Sequence, residues 1–152
     1  MSDYDSTQDT KEHINKVRAR LQECIGQLEA RSWIHDASKL ESPEKEAFDE
    51  VTPLLRGLTY GSPEYHAGTA KLGKALAHHY ANNSHHPEHY ADGIDGMTLI
   101  DLVEMLCDWK AASERHADGD IARSIEINRQ RFAISDQLAS ILRNTVQGMG
   151  WL

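Results

Sequence analysis

The 152-residue sequence has little of what secreted, membrane-spanning or disordered chains are rich in. It contains two cysteines, four prolines and ten glycines, and its apolar runs fall far short of the ~20 residues that a membrane helix needs. Its length and its 39% hydrophobic content predict one globular domain over residues 1–152, with disorder at residues 1–8. The N-terminus lacks the basic and then apolar order of a signal peptide, so we expect a cytoplasmic protein with no membrane partner.

Cysteines and basic residues are both scarce. Cys24 and Cys107 are too few for a disulfide framework and neither has a CxxC partner for zinc, so we expect both to be buried, reduced thiols. With 16 basic and 24 acidic residues, the formal charge is −8. Stable nucleic-acid binding needs clustered Lys and Arg and is not expected. A small phosphorylated ligand is compatible with the net negative charge, because a divalent metal can supply positive charge at its site.

Apolar residues recur every three or four positions along the chain, and no stretch alternates long enough to predict a strand. We therefore predict an all-α fold, a single-domain bundle of six to seven helices. The predicted helices span residues 7–30, 42–53, 63–82, 98–116 and 121–147, the last preceded by a turn at residues 118–120 and broken near Ser135. Ser42, Ser62 and Thr98 are the expected N-caps, and Glu44 follows Ser42 at the positive end of the helix dipole. A short segment covers residues 32–40, and a polar loop covers residues 84–97. In the first helix we expect one buried stripe made of Ile14, Val17, Leu21, Ile25 and Leu28.

Histidine is the one residue type in excess, with nine copies. Five of them fall within twelve residues: His78, His79, His85, His86 and His89. The helical period of residues 63–82 turns His79 inward and His78 away from the core. Function should be sought in this part of the chain.

The sequence also supplies a full set of metal-ligand types. Imidazoles and carboxylates gathered from separated parts of a chain bind divalent transition metals. The candidates are His13, His35, Asp36, His79, His85, His86, Asp101, Glu104 and Asp108. The last three share one face of the helix over residues 98–116, where burial would be costly without a cation. Each group also fits an ordinary role, as a solvated loop or a solvated helix face.

The order of these residues resembles the HD superfamily of metal-dependent phosphohydrolases. That pattern runs from a first His to an His-Asp pair, then further His residues, then a late Asp. The corresponding positions here are His13, His35-Asp36, His79, His85 or His86, and Asp108. Over about residues 10–116 the chain also resembles a small branch of this superfamily in phages and bacteria, through HHYxxNxHHPEHY and EMxCDWKA. Residues 120–152 would then be a C-terminal helical extension, and the cell a bacterium or a phage-infected host.

Three short segments carry the resemblance. Residues 35–39 (HDASK) resemble the HDxxK form of two-metal members, in which the Lys faces a substrate phosphate. Residues 85–90 (HHPEHY) are similar to the HHE-type run, and residues 107–110 (CDWK) resemble the surroundings of the late Asp, which favours Asp108 over Asp101. The GYP tripeptide of cyclic-di-GMP phosphodiesterases is absent, and the separation of His79 from His85 is unusually short.

The resemblance implies a phosphohydrolase that uses metal-activated water on a nucleotide or related phosphate ester. One or two divalent ions are implied, with Mn, Fe, Co, Ni, Zn and Mg as candidates. The implied ligands of one ion are His13, His35, Asp36 and Asp108; His79 with His85 or His86 would hold the second, and Asp36 would bridge. The catalytic candidates are Asp36, Lys39 and Glu104, with Glu104 orienting a ligand His or shuttling a proton. The substrate-binding candidates are Lys39, Tyr80, Asn83 and Arg115.

Two other functions stay open. Some HD relatives are di-iron oxygenases, which iron content and an oxygen requirement would reveal. The chain is also a candidate for a non-catalytic phage factor that binds a nucleotide or a protein. The apolar last helix, ending at Trp151 and Leu152, is a candidate homodimer surface.

Overall fold

The computed structural model describes residues 4–59, 61–115 and 119–152, and within them every regular element is helical. The α-helices are α1 (Thr7–Ile34), α2 (Glu44–Leu55), α3 (Pro63–Thr69), α4 (Gly73–Asn82), α5 (Leu99–Ser113), α6 (Ile121–Arg131) and α7 (Asp136–Gly148). Short 3-10 helices span Ala37–Leu40, Ala70–Leu72, Pro87–His89 and Gly93–Gly96. The predicted all-α class and helix number are confirmed. None of the helices in the described ranges has both the length and the apolar character needed to cross a membrane.

The chain divides into two compact units, one ending at His35 and the other running from Asp36 to Leu152. A single domain over residues 1–152 therefore stays a prediction. Residues 1–3 lie outside the described part, whereas Thr7 and Gln8 already belong to α1, so the disorder predicted for residues 1–8 does not reach them. The Asp5 carboxylate accepts the Thr7 backbone N–H at 2.9 Å and satisfies a free donor at the start of the helix.

The apolar stripe of α1 is exposed. Ile14, Val17, Leu21 and Ile25 are each between 42% and 58% exposed, and α1 buries none of its residues. The predicted burial of this stripe is wrong. The first unit consists of a single helix and offers no second layer against which an apolar face could pack.

Helices α5, α6 and α7 build the core of the second unit. The buried members are Met105, Leu106, Trp109, Ile121, Ile125, Ile134, Ala139, Leu142 and Val146. Between α6 and α7 the chain turns near Ser135, as predicted, and the Ser135 hydroxyl caps α7 by accepting the Leu138 N–H. The two C-terminal helices are therefore part of this core, and Trp151 packs against it.

The helix predicted over residues 63–82 is divided. Ser62 caps α3 as expected, accepting the Tyr65 N–H, but the chain then passes through the 3-10 turn Ala70–Leu72. Gly73 takes a φ of +45°, which L-residues other than glycine rarely adopt. The single-helix prediction fails at this glycine, and a separate α4 carries the tandem histidines.

Helix α2 differs from its prediction at both ends. Pro43, and not Ser42, occupies the N-cap position, and no side chain caps the helix. The helix runs through Pro53 to Leu55, since the fixed φ of proline is helical, although Pro53 donates no backbone hydrogen bond and its ring crowds the preceding turn. Glu44 consequently becomes the first residue of α2.

Both cysteines are exposed, which corrects the expectation that they are buried. Cys24 lies on α1, where nothing is buried. Cys107 follows the exposed Val103 by one turn on α5, on a different face from the buried Met105 and Trp109.

Asp101 joins the start of α5 to the loop that precedes it. Thr98 and Asp101 form a capping box, and Asp101 is 1% exposed. The Ser84 hydroxyl donates to Asp101 Oδ1 at 2.8 Å and the Tyr90 hydroxyl to Oδ2 at 2.9 Å. These bonds hold the loop against α5 immediately before His85. The predicted end of this helix at His116 and the turn at Asp118 lie outside the described residues.

Candidate metal centre

Four side chains of the second unit bring metal-ligating atoms together: Asp36, His79, His85 and His86. One such atom from each residue lies within 4.8 Å of the other three. His79 and His85 are buried, and Asp36 and His86 are half-buried. We refer to these four side chains as the His3Asp group. Three imidazoles and one carboxylate form a donor set that suits Zn, Mn, Fe, Co or Ni.

Asp36 lies at the centre of the His3Asp group. Its Oδ1 is 3.3 Å from His79 Nε2 and 3.4 Å from His85 Nε2. Its backbone is left-handed, with φ of +56° and ψ of +13°, where Asp and Asn are tolerated better than other non-glycine residues. Lys39 lies one turn after Asp36, and its Nζ is 2.6 Å from Asp36 Oδ2. One carboxylate thus contacts two imidazoles and one ammonium.

Glu44 fixes the orientation of His79. Its side chain is fully buried, and its Oε2 accepts from His79 Nδ1 at 2.8 Å. Because an ionised carboxylate only accepts hydrogen bonds, Nδ1 carries the proton and Nε2 presents its lone pair toward Asp36. A carboxylate on the far nitrogen of a ligand histidine is the arrangement that orients imidazoles in metal sites.

Glu104 occupies the same position relative to His85. Its Oε1 lies 3.2 Å from His85 Nδ1, while His85 Nε2 faces Asp36. Two glutamates, from α2 and α5, therefore direct two Nε2 atoms at one oxygen of Asp36. This geometry fits the role predicted for Glu104, which is to orient a ligand histidine.

Further hydrogen bonds hold Glu44 itself. Its Oε2 accepts from the Ser38 hydroxyl at 3.0 Å, and its Oε1 accepts from His78 Nδ1 at 2.7 Å. Burial raises the pKa of the Glu44 carboxyl, but the hydrogen bonds from His78, His79 and Ser38 outweigh it and hold the pKa below its usual range. The carboxyl is therefore ionised.

Burial keeps two imidazoles of the group, those of His79 and His86, neutral. It lowers the pKa of His86 to about 3, with the neighbouring His85 and His79 adding to the effect. It also lowers the pKa of His79, and Lys39 adds to this. His86 Nε2 lies 2.9 Å from His79 Nε2. Neutral imidazoles whose Nε2 atoms converge in this way can ligate a cation without first losing a proton.

A cavity of about 660 Å³ opens beside the His3Asp group. Asp36, His79 and His86 form part of its wall. Of the predicted substrate contacts, Lys39, Tyr80 and Arg115 line it. Its volume is typical of a pocket for a nucleotide-sized ligand.

Asn83 does not line this cavity. It is buried and donates to the Ser38 hydroxyl at 2.8 Å and to the His79 carbonyl at 2.8 Å. In place of the predicted substrate contact, the structure gives Asn83 the role of supporting the end of α4 and the serine that bonds Glu44.

The remaining candidates divide into three cases. Asp108 lines the cavity, and its Oδ2 lies 4.0 Å from His85 Nε2. Asp101 caps α5, as described, and is not part of the His3Asp group. His13 and His35 belong to the first unit, and their ligation stays a prediction. His78 is exposed and His79 buried, as the helical period predicts.

Glu44 is the site residue that the sequence reasoning missed. As the first acid of α2, it is accounted for by the helix dipole alone, since a negative charge is favourable at the positive end. A second signal was present, because Phe48, Val51 and Leu55 follow it on the same apolar face. An acid that begins a buried stripe needs hydrogen-bond donors, and His78 and His79 supply them.

The chain belongs to the Family of unknown function (DUF5662), whose model matches residues 2–148. No curated protein and no solved structure matches it.

Proposed function

We propose that this DUF5662 member is a metal-dependent phosphohydrolase that holds a divalent transition metal at the His3Asp group and acts on a nucleotide or a related phosphate ester. One observation carries the proposal. Glu44 and Glu104 direct the Nε2 atoms of His79 and His85 at the same oxygen of Asp36, beside a cavity with cationic side chains in its wall.

The donor set and its surroundings fit a cation. Three imidazoles and a carboxylate present their ligand atoms within 4.8 Å of one another, and two of the imidazoles are oriented by glutamates. His13, His35 and Asp108 remain proposed as further ligands. When bound, a divalent metal in such a site lowers the pKa of coordinated water and screens the charge of a phosphate under attack.

Lys39 is suited to meet the phosphoryl group. Its ammonium lies 2.6 Å from Asp36 Oδ2 and 5.0 Å from the centre of the Phe48 ring, so it is held at the cavity wall. As a compact point charge, it can shift from the carboxylate to a phosphate oxygen when a substrate enters. Tyr80 and Phe132, which also line the cavity, offer aromatic surface for a nucleobase.

The test combines elemental analysis of untagged protein with a hydrolysis screen. We expect at least one bound transition metal, and release of phosphate or nucleoside from nucleotides with Mn, Co, Ni or Mg. Asp36→Asn and His79→Gln should lower both metal content and turnover by at least about a hundredfold, because each removes a ligand. Asp92→Asn, in the exposed loop, is the matched control.

Three outcomes would reject the proposal. Turnover that survives in Asp36→Asn and His79→Gln places the chemistry elsewhere. Bound iron with oxygen-dependent product formation assigns an oxygenase. Bound metal with no turnover over a broad nucleotide panel assigns a binding protein.

A further inference from the structure

A second group of cationic side chains lines the cavity. Besides Lys39, its wall carries Arg115, Arg123 and Arg131. Arg115 follows the end of α5, and Arg123 and Arg131 lie on α6. The wall also carries four carboxylates, of which Asp36 and Glu88 pair with Lys39 and Arg131. An anionic ligand is therefore favoured at the other two arginines and not along the whole wall.

The arginines differ in what they contact. Arg131 donates to Glu88 Oε1 at 2.6 Å, so a carboxylate already balances its charge. Among residues 4–59, 61–115 and 119–152, no carboxylate lies within ion-pair distance of the Arg115 or Arg123 guanidinium. Asp120, which lines the same wall, uses its Oδ1 to accept the N–H groups of Ala122 and Arg123 at the start of α6.

Arg115 and Arg123 also lie away from the His3Asp group. Arg115 follows Asp108 by seven residues and lies two residues beyond the end of α5 at Ser113. Arg123 precedes Arg131 by eight residues on α6, about 12 Å, and Arg131 is the arginine whose Nη2 is 3.5 Å from the Tyr80 hydroxyl. A phosphoryl group beside Asp36 and Lys39 therefore leaves Arg115 and Arg123 to a different part of the ligand.

Resting on the proposed function, we infer that Arg115 and Arg123 form a second anion subsite and that the substrate carries two phosphoryl groups, one beside Lys39 and one at these arginines. The planar guanidinium matches the oxygens of a phosphate in a bidentate contact. The cavity volume of about 660 Å³ accommodates a ligand with two phosphoryl groups.

The experiment is isothermal calorimetry with two matched series of probes, linear alkanediol bisphosphates of increasing length and the corresponding alkanol monophosphates. We expect the best bisphosphate to bind about tenfold more tightly than its monophosphate, as for hydrogen bonds between charged groups, with a maximum at one intermediate chain length. In Arg115→Gln and Arg123→Gln, the ratio of the monophosphate to the bisphosphate dissociation constant should fall toward one. Arg143→Gln, which alters an arginine paired with Glu126 on the surface, should keep it.

Each result decides the inference. Equal affinity for the two series, or an advantage that Arg115→Gln and Arg123→Gln leave intact, overturns the subsite. Metal-dependent hydrolysis of monophosphate nucleotides, measured in the same protein, reports on the proposed function separately. If hydrolysis is absent while the arginine-dependent advantage is present, the phosphohydrolase proposal fails and the anion subsite stands.

Discussion

Glu44 Oε2 and His79 Nδ1 are 2.8 Å apart, and both side chains are almost completely removed from solvent. A carboxylate buried this deeply is costly unless hydrogen bonds satisfy it. Three donors do so, on Ser38, His78 and His79. The pair therefore fixes both a protonation state and a ring orientation in the candidate metal centre.

Glu44→Gln should weaken metal binding. The amide keeps the size of the side chain but removes the charge that orients His79 and increases its basicity, so we expect the dissociation constant to rise about 10- to 100-fold. Competition with a metal-sensitive chelator measures it. Glu46→Gln changes an exposed acid of the same helix and should leave the constant unchanged. Equal affinity in the wild type and Glu44→Gln would contradict the orienting role.

The tandem histidines should differ in effect. His79→Gln removes a member of the His3Asp group, and metal content should fall by at least about a hundredfold. His78→Gln removes one of three donors to Glu44, and content should fall only a few-fold. Metal analysis of both variants after dialysis provides the comparison. A larger loss in His78→Gln than in His79→Gln would reverse the assignment.

Substitutions of Asp36 should separate ligation from backbone strain. Both Asp36→Asn and Asp36→Ala should lose the increase in melting temperature that added metal gives the wild type, because both lose the carboxylate. Without metal, Asp36→Ala should be about 1 kcal/mol less stable than Asp36→Asn, since alanine tolerates a φ of +56° less well. Urea unfolding at matched pH measures this difference. Equal stability of the two variants would show that the left-handed conformation is not retained.

Asp101 should make stability depend on pH. Burial raises its pKa, but the hydrogen bonds from Thr98, Ser84 and Tyr90 outweigh this and hold it well below the ordinary value of 3.8. A folded-state pKa below the unfolded one means that the stabilisation is fully present above about pH 4 and is lost as the pH falls further. Asp101→Asn should therefore cost about 1–3 kcal/mol at pH 7 and less below pH 4.

The comparison requires unfolding curves of the wild type and Asp101→Asn from pH 7 down to pH 3. Asp92→Asn, at an exposed loop position, should show no such pH-dependent difference from the wild type. If the free energies of unfolding of the wild type and Asp101→Asn differed by the same amount at every pH, the hydrogen bonds to the carboxylate would not be the cause of the difference.

Local patterns predicted much of the fold. Ser62 and Thr98 cap the helices they were expected to cap, because a cap depends on residues three positions away. The break expected near Ser135 is also present, with Ser135 as the cap of α7. The inward direction of His79 followed from the helical period alone. The pattern of α1 was correct as a helix and misleading as a buried face, since burial depends on what packs against it.

Sequence periodicity and capping were sufficient for the all-helical class and for the inward turn of His79, because both depend on neighbours within a turn or two. Periodicity and capping could not predict which side chains contact the imidazoles. Glu44 and His79 are separated by 35 positions, and their contact exists because α2 packs against α4. Tertiary packing likewise brings Glu104, on α5, to His85, in the loop that precedes that helix. Long-range packing alone placed a glutamate behind His79 and another behind His85, and this arrangement converts a histidine-rich segment into a candidate metal centre.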